Sequence, residues 1–251
     1  MPTETTGANG SVSQTASLFE RTHWTVVLAA GQIGGPEQTA ALETLCRAYW
    51  EPIYAYLRRV GQSPHDAQDL TQGFLVHLLQ NEGLQGLRPE GGRFRWFLLA
   101  ALKNYLADVR DHARALKRGG GQTMLSLEQE VAESHFALEA ATGAAPEHLY
   151  DRRWAAAMMN RAFGRLHEEF VTTGKAAQFQ GIAVFLGAEG NAAEYDAVAG
   201  RLGLTRGAVA VAVHRLRQRY RDLVRAEIAH TVTSGAELED EMRYLLAVIC
   251  Q

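Results

Sequence analysis

The chain has little cysteine and no long apolar segment, and these absences exclude several classes of protein. Its 251 residues include two cysteines, Cys46 and Cys250, which lie far apart and match neither a disulfide framework nor a zinc-ligand spacing. No run of eighteen apolar residues is present, so no transmembrane span is expected. Residues 1–17 lack the basic and apolar regions of a signal peptide and are expected to form a disordered tail. We therefore expect a cytoplasmic protein in a reducing compartment.

Motifs for catalysis and for metal binding are also missing. The nine histidines are scattered without metal-ligand spacing, and neither a phosphate-binding loop nor a Ser/Cys–His constellation is recognisable. We expect no metal, no cofactor and no enzymatic activity. Strand-like alternation does not persist along the chain, whereas helical periodicity dominates it. The sequence predicts an all-α fold, with a loop region at 172–191 and helices over 39–60, 64–81, 93–117 and 147–171 before a final helical pair.

Charge is segregated along the chain, although the net charge is only −3. Residues 93–118 carry seven basic and two acidic side chains, and residues 206–225 carry six basic and one acidic, so each segment has a net charge of +5. Residues 62–82 carry three acidic side chains and no Lys or Arg, and residues 226–251 have a net charge of −4. Clustered positive charge favours a phosphate backbone, because neutralised phosphates release counterions. Solvated charged helix faces are the alternative explanation.

The segment "YDAVAGRLGLTRGAVAVAVHRLRQRY", residues 195–220, has the pattern of a helix-turn-helix unit. The first helix is expected to end at Leu202, Gly203 supplies a left-handed turn residue, and Thr205 is suited to cap the second helix. We interpret "AVAVAV" as helix because it lies within a helical repeat. The predicted buried face of that repeat is Val209, Val213, Leu216, Tyr220 and Leu223. The opposite face is small and then basic, which suits a DNA major groove, although a corner between two ordinary helices can have a similar pattern.

The two helices predicted at 64–81 and 93–117 differ in character. In "DAQDLTQGFLVHLL", Asp66, Asp69 and Gln72 lie near one face, which suits a basic protein surface; the alternative is that the acids complement the helix dipole. The helix "GRFRWFLLAALKNYLADVR" has an apolar inner face. Its predicted outward side chains are Arg95, Trp96, Lys103 and Arg110. A tryptophan between cations suits stacking on unpaired bases, whereas an isolated tryptophan more often packs on a neighbouring helix.

Taken in order, "HDAQDLTQGFLVHLL", "GRFRWFLLAALKNYLADVRDHARALKRGGG" and "AVAGRLGLTRGAVAVAVHRLRQRYRDLV" resemble an extracytoplasmic-function (ECF) sigma factor, a promoter-recognition subunit of bacterial RNA polymerase. The resemblance implies a sigma region 2-like helical bundle at 18–118 and a sigma region 4-like helix-turn-helix domain at 146–225. A flexible linker at 119–145 joins these two small domains, and an acidic, amphipathic helical extension follows at 226–251.

The resemblance also implies a function and the residues that perform it. The protein is expected to bind core RNA polymerase and to direct promoter recognition, DNA melting and transcription initiation. The residues implied at the polymerase interface are Asp66, Asp69, Gln72 and Phe74. Those implied at the −10 element are the loop 83–92 and Arg95, Trp96, Lys103, Asn104 and Arg110. Those implied at the −35 element are Thr205, Arg206, Ala210, His214, Arg215, Arg217, Gln218 and Arg221.

Other functions remain open from the residues themselves. A stand-alone helix-turn-helix regulator would bind duplex DNA, usually as a dimer on a palindrome. Such a regulator has no use for an acidic docking face followed by a basic aromatic helix. A helical interaction scaffold is the third possibility, and the two segments of +5 charge argue against it.

The acidic helix departs from the family pattern at Gly73, where many relatives carry an acid. A phosphate on Thr71 would add negative charge to the same helix, so Thr71 is a candidate regulatory phosphosite. The alternative is an ordinary half-buried threonine. The regulatory partners that we consider are therefore a Ser/Thr kinase and an anti-sigma factor.

The C-terminal extension has an apolar face in helical register. This face consists of Leu238, Met242, Leu245 and Ile249. In one explanation it docks on the core of the second domain. In the other, the net charge of −4 covers the arginine-rich face of residues 206–225.

Overall fold

The computed structural model describes residues 36–80, 93–115, 143–232 and 234–250, and regular structure in these ranges is entirely helical. The helices are α1 (Pro36–Arg59), α2 (Pro64–Gln80), α3 (Phe94–Ala115), α4 (Pro146–Thr172), α5 (Ala176–Ile182), α6 (Ala192–Leu202), α7 (Arg206–Ala229) and α8 (Gly235–Ile249). The all-α class is thus confirmed for this part of the chain. The predicted tail, the loop 83–92 and residues 119–142 of the predicted linker lie outside the described residues.

The described residues divide into two compact units. The first draws on Met1–Ala157 and Ile228–Gln251, and therefore contains α1, α2, α3, the beginning of α4 and the whole of α8. The second unit is Met158–Glu227, with the rest of α4, α5, α6 and most of α7. Helix α8 thus belongs to the same unit as α1.

The long helices begin and end within three residues of the positions that the sequence predicts. The start of α2 shows why. Ser63 precedes the helix, and its hydroxyl oxygen accepts a hydrogen bond from the backbone N–H of Asp66 at 3.1 Å. Pro64 occupies the first helical position, where its missing N–H has no intrahelical partner to lose. The predicted cap and the predicted first residue are both confirmed.

The core of the first unit is built from large apolar side chains on five helices. Helices α1 and α2 pack against each other. The fully or almost fully buried side chains include Tyr49, Ile53, Leu57, Phe74, Phe94, Leu98, Leu102, Tyr150, Trp154, Leu238 and Leu245. Because Leu238 and Leu245 belong to α8, this helix forms part of the same core.

The second unit contains a short helix that the sequence did not predict. Residues 172–191, which the sequence assigns to a loop region of uncertain structure, include α5 and a 3-10 turn, Ala183–Leu186. Phe179 of α5 is buried, and its ring lies 5.1–5.4 Å from the rings of Phe163, His167 and Phe170. Aromatic packing, rather than a side-chain cap, fixes this helix.

Helix α8 buries only part of its predicted apolar face. The hydroxyl oxygen of Ser234 accepts from the N–H of Glu237 at 3.3 Å and caps the helix. Its buried residues are Leu238, Glu241, Leu245 and Val248, whereas Ile249 is exposed. These residues belong to the first compact unit, which also contains the beginning of α4.

Among the described helices, none combines the length and the hydropathy that a membrane span requires.

Candidate nucleic-acid and protein interfaces

Helix α6 and the turn that follows it have the predicted geometry. Asn191 and Glu194 form a capping box: the Asn191 side-chain oxygen accepts from the Glu194 N–H at 3.0 Å, and the Glu194 carboxylate accepts from the Asn191 N–H at 2.9 Å. The helix ends at Leu202. Gly203 adopts φ 64° and ψ 31°, and its N–H donates to the carbonyl of Ala199. The left-handed turn predicted at Gly203 is confirmed.

Three residues, 203–205, separate the end of α6 from the start of α7, which is a turn length found in helix-turn-helix units. The hydroxyl oxygen of Thr205 accepts from the Ala208 N–H at 3.2 Å, which confirms Thr205 as the cap. The predicted inner face is also confirmed. Its residues Val209, Val213, Leu216 and Leu223 are buried, and Tyr220 is half-buried with its hydroxyl donating to the carbonyl of Met159 at 3.2 Å.

The outer face of α7 changes in character along the helix. Its exposed residues are Arg206, Gly207, Ala210, Val211, His214, Arg215, Gln218 and Arg221. Small and apolar side chains come first, and Val211 is 51% exposed. Basic side chains follow. A helix of this kind can approach base edges closely with its first turns while its later arginines reach phosphates.

Two arginines of α7 are held by partners within the second unit. Arg217 donates to the carbonyl oxygens of Phe185 at 2.8 Å and Ala188 at 2.9 Å, so its guanidinium closes the end of the 3-10 turn. The structure does not support the phosphate contact predicted for Arg217. Arg219 makes a bidentate pair with Glu169, at 2.9 and 2.6 Å. These hydrogen bonds lower the pKa of Glu169, although partial burial opposes the shift.

Helix α2 presents an acidic and polar stripe. Asp66, Asp69 and Gln72 are all exposed. Asp66 accepts from the Ser63 hydroxyl at 2.7 Å, and the Asp69 carboxylate lies 3.2 Å from Nδ1 of His65. Val76 lies about two helical turns beyond Asp69 on the same face of α2. It is 49% exposed and extends the stripe with an apolar side chain.

Phe74, the apolar residue predicted for the polymerase interface, does not lie at the surface. Phe74 is fully buried and packs against Tyr105, with ring centroids 5.6 Å apart. Val76 takes its place at the surface. The seven-residue spacing from Asp69 to Val76 carries the signal that could have identified it.

Gly73 and Thr71 face the interior of the first unit. A Cβ atom on Gly73 would lie 2.5 Å from the Tyr105 hydroxyl oxygen, so the glycine makes room for that ring. Thr71 is fully buried, and its hydroxyl donates to the carbonyl of Ala67 at 2.7 Å. A kinase cannot reach this hydroxyl in the described conformation, so the structure does not support Thr71 as a phosphosite.

The predicted −10 residues of α3 divide between the surface and the core. Trp96, Lys103, Asn104 and Arg110 are exposed, and Trp96 is 52% exposed. Lys103 donates to the Glu147 carboxylate at 2.8 Å, and this hydrogen bond raises the pKa of Lys103. The lysine therefore carries its charge beside an acidic partner.

The outward orientation predicted for Arg95 is wrong. Its side chain is fully buried and pairs with Glu241 of α8, with Nε 2.5 Å from the carboxylate, and with Asp151 of α4. The guanidinium also lies over the rings of Trp154 and Tyr244, at 5.0 and 4.1 Å from their centroids. Burial opposes its charge, but these acidic partners outweigh burial and raise the Arg95 pKa. A side chain held in this way does not reach DNA.

Comparison with protein-family models, with curated proteins and with solved structures finds no match to this chain.

Proposed function

We propose that the protein is an ECF-type sigma factor, which binds core RNA polymerase in the cytoplasm and directs promoter recognition, DNA melting and transcription initiation. The observation that carries this proposal is Trp96. It is 52% exposed at the start of α3, with the Arg93 guanidinium 4.6 Å from its ring centroid. An exposed aromatic ring beside cations is suited to stacking on an unpaired base, which a reader of intact duplex does not need.

The acidic stripe of α2 supports the same proposal. In this account Asp66, Asp69 and Gln72 meet a basic surface of the polymerase, and Val76 supplies an apolar contact at the end of the stripe. The stripe and Trp96 belong to one unit. One compact unit would thus contact both the polymerase and the opened strand.

The helix-turn-helix of the second unit supports recognition of a duplex promoter element. Ala210, Val211 and His214 are exposed in the first half of α7, where base edges are read in comparable motifs. Arg215 and Arg221 are exposed and available to phosphates, and the exposed Arg206 lies 3.9 Å from the Asp196 carboxylate. The −10 contacts then come from Trp96, Asn104 and Arg110 in the first unit.

The test is affinity for core RNA polymerase, measured with purified protein and an Asp69→Lys variant. Reversal of one interface charge is expected to weaken binding at least about fivefold, because it replaces an attraction by a repulsion. Glu168→Lys makes the same charge change at an exposed site of the second unit and is expected to bind like the parent. A parent protein that binds duplex DNA but has no affinity for the polymerase would instead be a stand-alone regulator.

A further inference from the structure

The exposed ring of Trp96 is contacted by two arginines of its own unit. The Arg93 guanidinium carbon lies 4.6 Å from the ring centroid and that of Arg95 lies 5.1 Å from it. A half-exposed tryptophan on a free helix surface can change rotamer at little cost. Two cations against the ring restrict that freedom, since each is attracted to its electron-rich face.

A single carboxylate holds both arginines. Glu241 of α8 is fully buried and lies 3.0 Å from Nε of Arg93. It also accepts from Nε of Arg95 at 2.5 Å and from the second terminal nitrogen of Arg95 at 3.3 Å. Asp240, the preceding residue, approaches Arg93 at 4.0 Å from the more exposed side.

Arg95 is also fixed from a second direction. Asp151 of α4 pairs with it, and the Tyr244 hydroxyl donates to the other oxygen of Asp151 at 2.5 Å. Replacing buried ion pairs with apolar side chains is often neutral or stabilising, so stability alone does not account for this arrangement. What the charged groups do provide is a fixed direction for each guanidinium.

We propose that Glu241 is a positioning residue for Trp96: through Arg93 and Arg95, the C-terminal helix holds the ring in the orientation in which it stacks on an unpaired base. The proposal rests on the proposed function, because it assigns Trp96 to strand opening. It gives α8 a part in that step without any contact between α8 and DNA.

The experiment measures permanganate reactivity of −10 thymines in a promoter selected by the reconstituted holoenzyme. Affinity for core polymerase and for the −35 duplex is measured on the same samples. Arg93 lies at the edge of the cluster and is substituted first, because the Arg95–Glu241–Asp151 pairs then remain. Arg93→Gln is expected to lower opening by about two- to fivefold, which corresponds to one exposed cation–aromatic contact, with both affinities unchanged.

Arg93→Lys separates positioning from simple charge. Lysine keeps the positive charge, but its single ammonium cannot present a planar face to the ring while pairing with Glu241. We expect Arg93→Lys to lose opening as Arg93→Gln does. Full opening by Arg93→Lys would overturn the proposal, because the arginine would then act only as a charge.

Glu241→Gln tests the carboxylate itself, and Glu239→Gln is its matched control on an exposed position of the same helix. The control is expected to open the promoter like the parent, and Glu241→Gln to lose opening while it still binds the polymerase. If Glu241→Gln does not fold, the Arg93 variants decide whether the positioning role holds.

Equal loss of opening and of polymerase affinity would indicate a purely structural role and overturn the proposal. A parent that binds core polymerase and opens DNA, with unchanged opening in every folded variant, would refute the positioning role alone. A parent that does neither would refute the proposed function as well.

Discussion

Arginine side chains in this protein divide into those that face solvent and those that are held by partners in their own unit. Arg215 and Arg221 are exposed on the outer face of α7. Arg217, between them, donates to two backbone carbonyls, and Arg95 is buried among acids and rings. Neighbouring residues of one type therefore have different consequences when they are substituted.

Arg221→Ala is expected to change the salt dependence of DNA binding, whereas Arg217→Ala is expected to change the stability of the second unit. Arg221→Ala should reduce the salt dependence of duplex binding by about one unit of logarithmic slope, because one phosphate contact is lost. Arg217→Ala should leave that slope unchanged and lower the unfolding free energy of the second unit by about 1–3 kcal/mol, because the two carbonyls lose charged donors. Titrations at several salt concentrations and urea denaturation measure both. An Arg217→Ala protein with a reduced slope and parental stability would contradict the assignment.

Glu227 makes the stability of the second unit depend on pH. Burial opposes its ionisation, but hydrogen bonds from Arg161 and Arg165 outweigh burial and leave its pKa below the ordinary 4.5. The ionised group therefore stabilises the folded unit above about pH 4.5, and this contribution is lost as the pH falls through the lowered pKa. In Glu227→Gln, the unfolding free energy should fall less between pH 5 and pH 3 than it does in the parent. Parallel pH profiles for the two proteins would argue against this role.

Among the helices, capping residues that can be recognised in the sequence determine where several of them begin and end. Ser63, Asn191 and Thr205 cap their helices with side-chain oxygens, and Gly203 ends α6 in a conformation that glycine adopts without strain. This is why the long helices and the turn of the helix-turn-helix were predictable. Helix α5 has only seven residues and no side-chain cap, so it leaves no such signal. Its stability comes from contacts of Phe179 with another helix.

Gly203→Ala is expected to destabilise the second unit by about 1–2 kcal/mol, because a Cβ atom is strained at φ 64°. Gly200→Ala is the matched control in the same helix. Gly200 is exposed, no atom lies within 4 Å of an added Cβ, and alanine favours the helix by up to about 1 kcal/mol. The midpoints of thermal and urea denaturation should therefore shift in opposite directions for the two variants. A shift of the same sign in both would contradict the turn geometry.

At the scale of the whole molecule, the pairing of distant segments is what the sequence could not provide. Arg95 and Glu241 are 146 positions apart, and the acids of α8 could have paired with any of several arginines. The helical pattern of α3 placed Arg95 outside because charged residues usually lie there. Its partners from α4 and α8 reverse that placement. The surface positions of Trp96 and Arg110 needed no distant partner, and they were predicted correctly.

Removal of α8, by ending the chain after residue 233, tests this pairing. The truncated first unit is expected to lose about 3–5 kcal/mol of stability, because Arg95 loses its buried partner Glu241. Loss of Leu238 and Leu245 adds to the effect. Denaturation followed by circular dichroism measures the change. A truncated protein that stays folded and binds duplex DNA more tightly would favour the acidic-cover explanation over the buried pair.

Run-off transcription with core RNA polymerase and a random-sequence promoter library tests the proposed sigma-factor function. We expect that adding the protein yields transcripts from a shared pair of promoter elements, and that Trp96→Ala lowers transcript yield while it retains affinity for the polymerase. A lost base stack is worth about 1–3 kcal/mol, so the expected decrease is at least about fivefold. Transcripts no more abundant than with core polymerase alone, from a protein that still binds duplex DNA, would contradict that function.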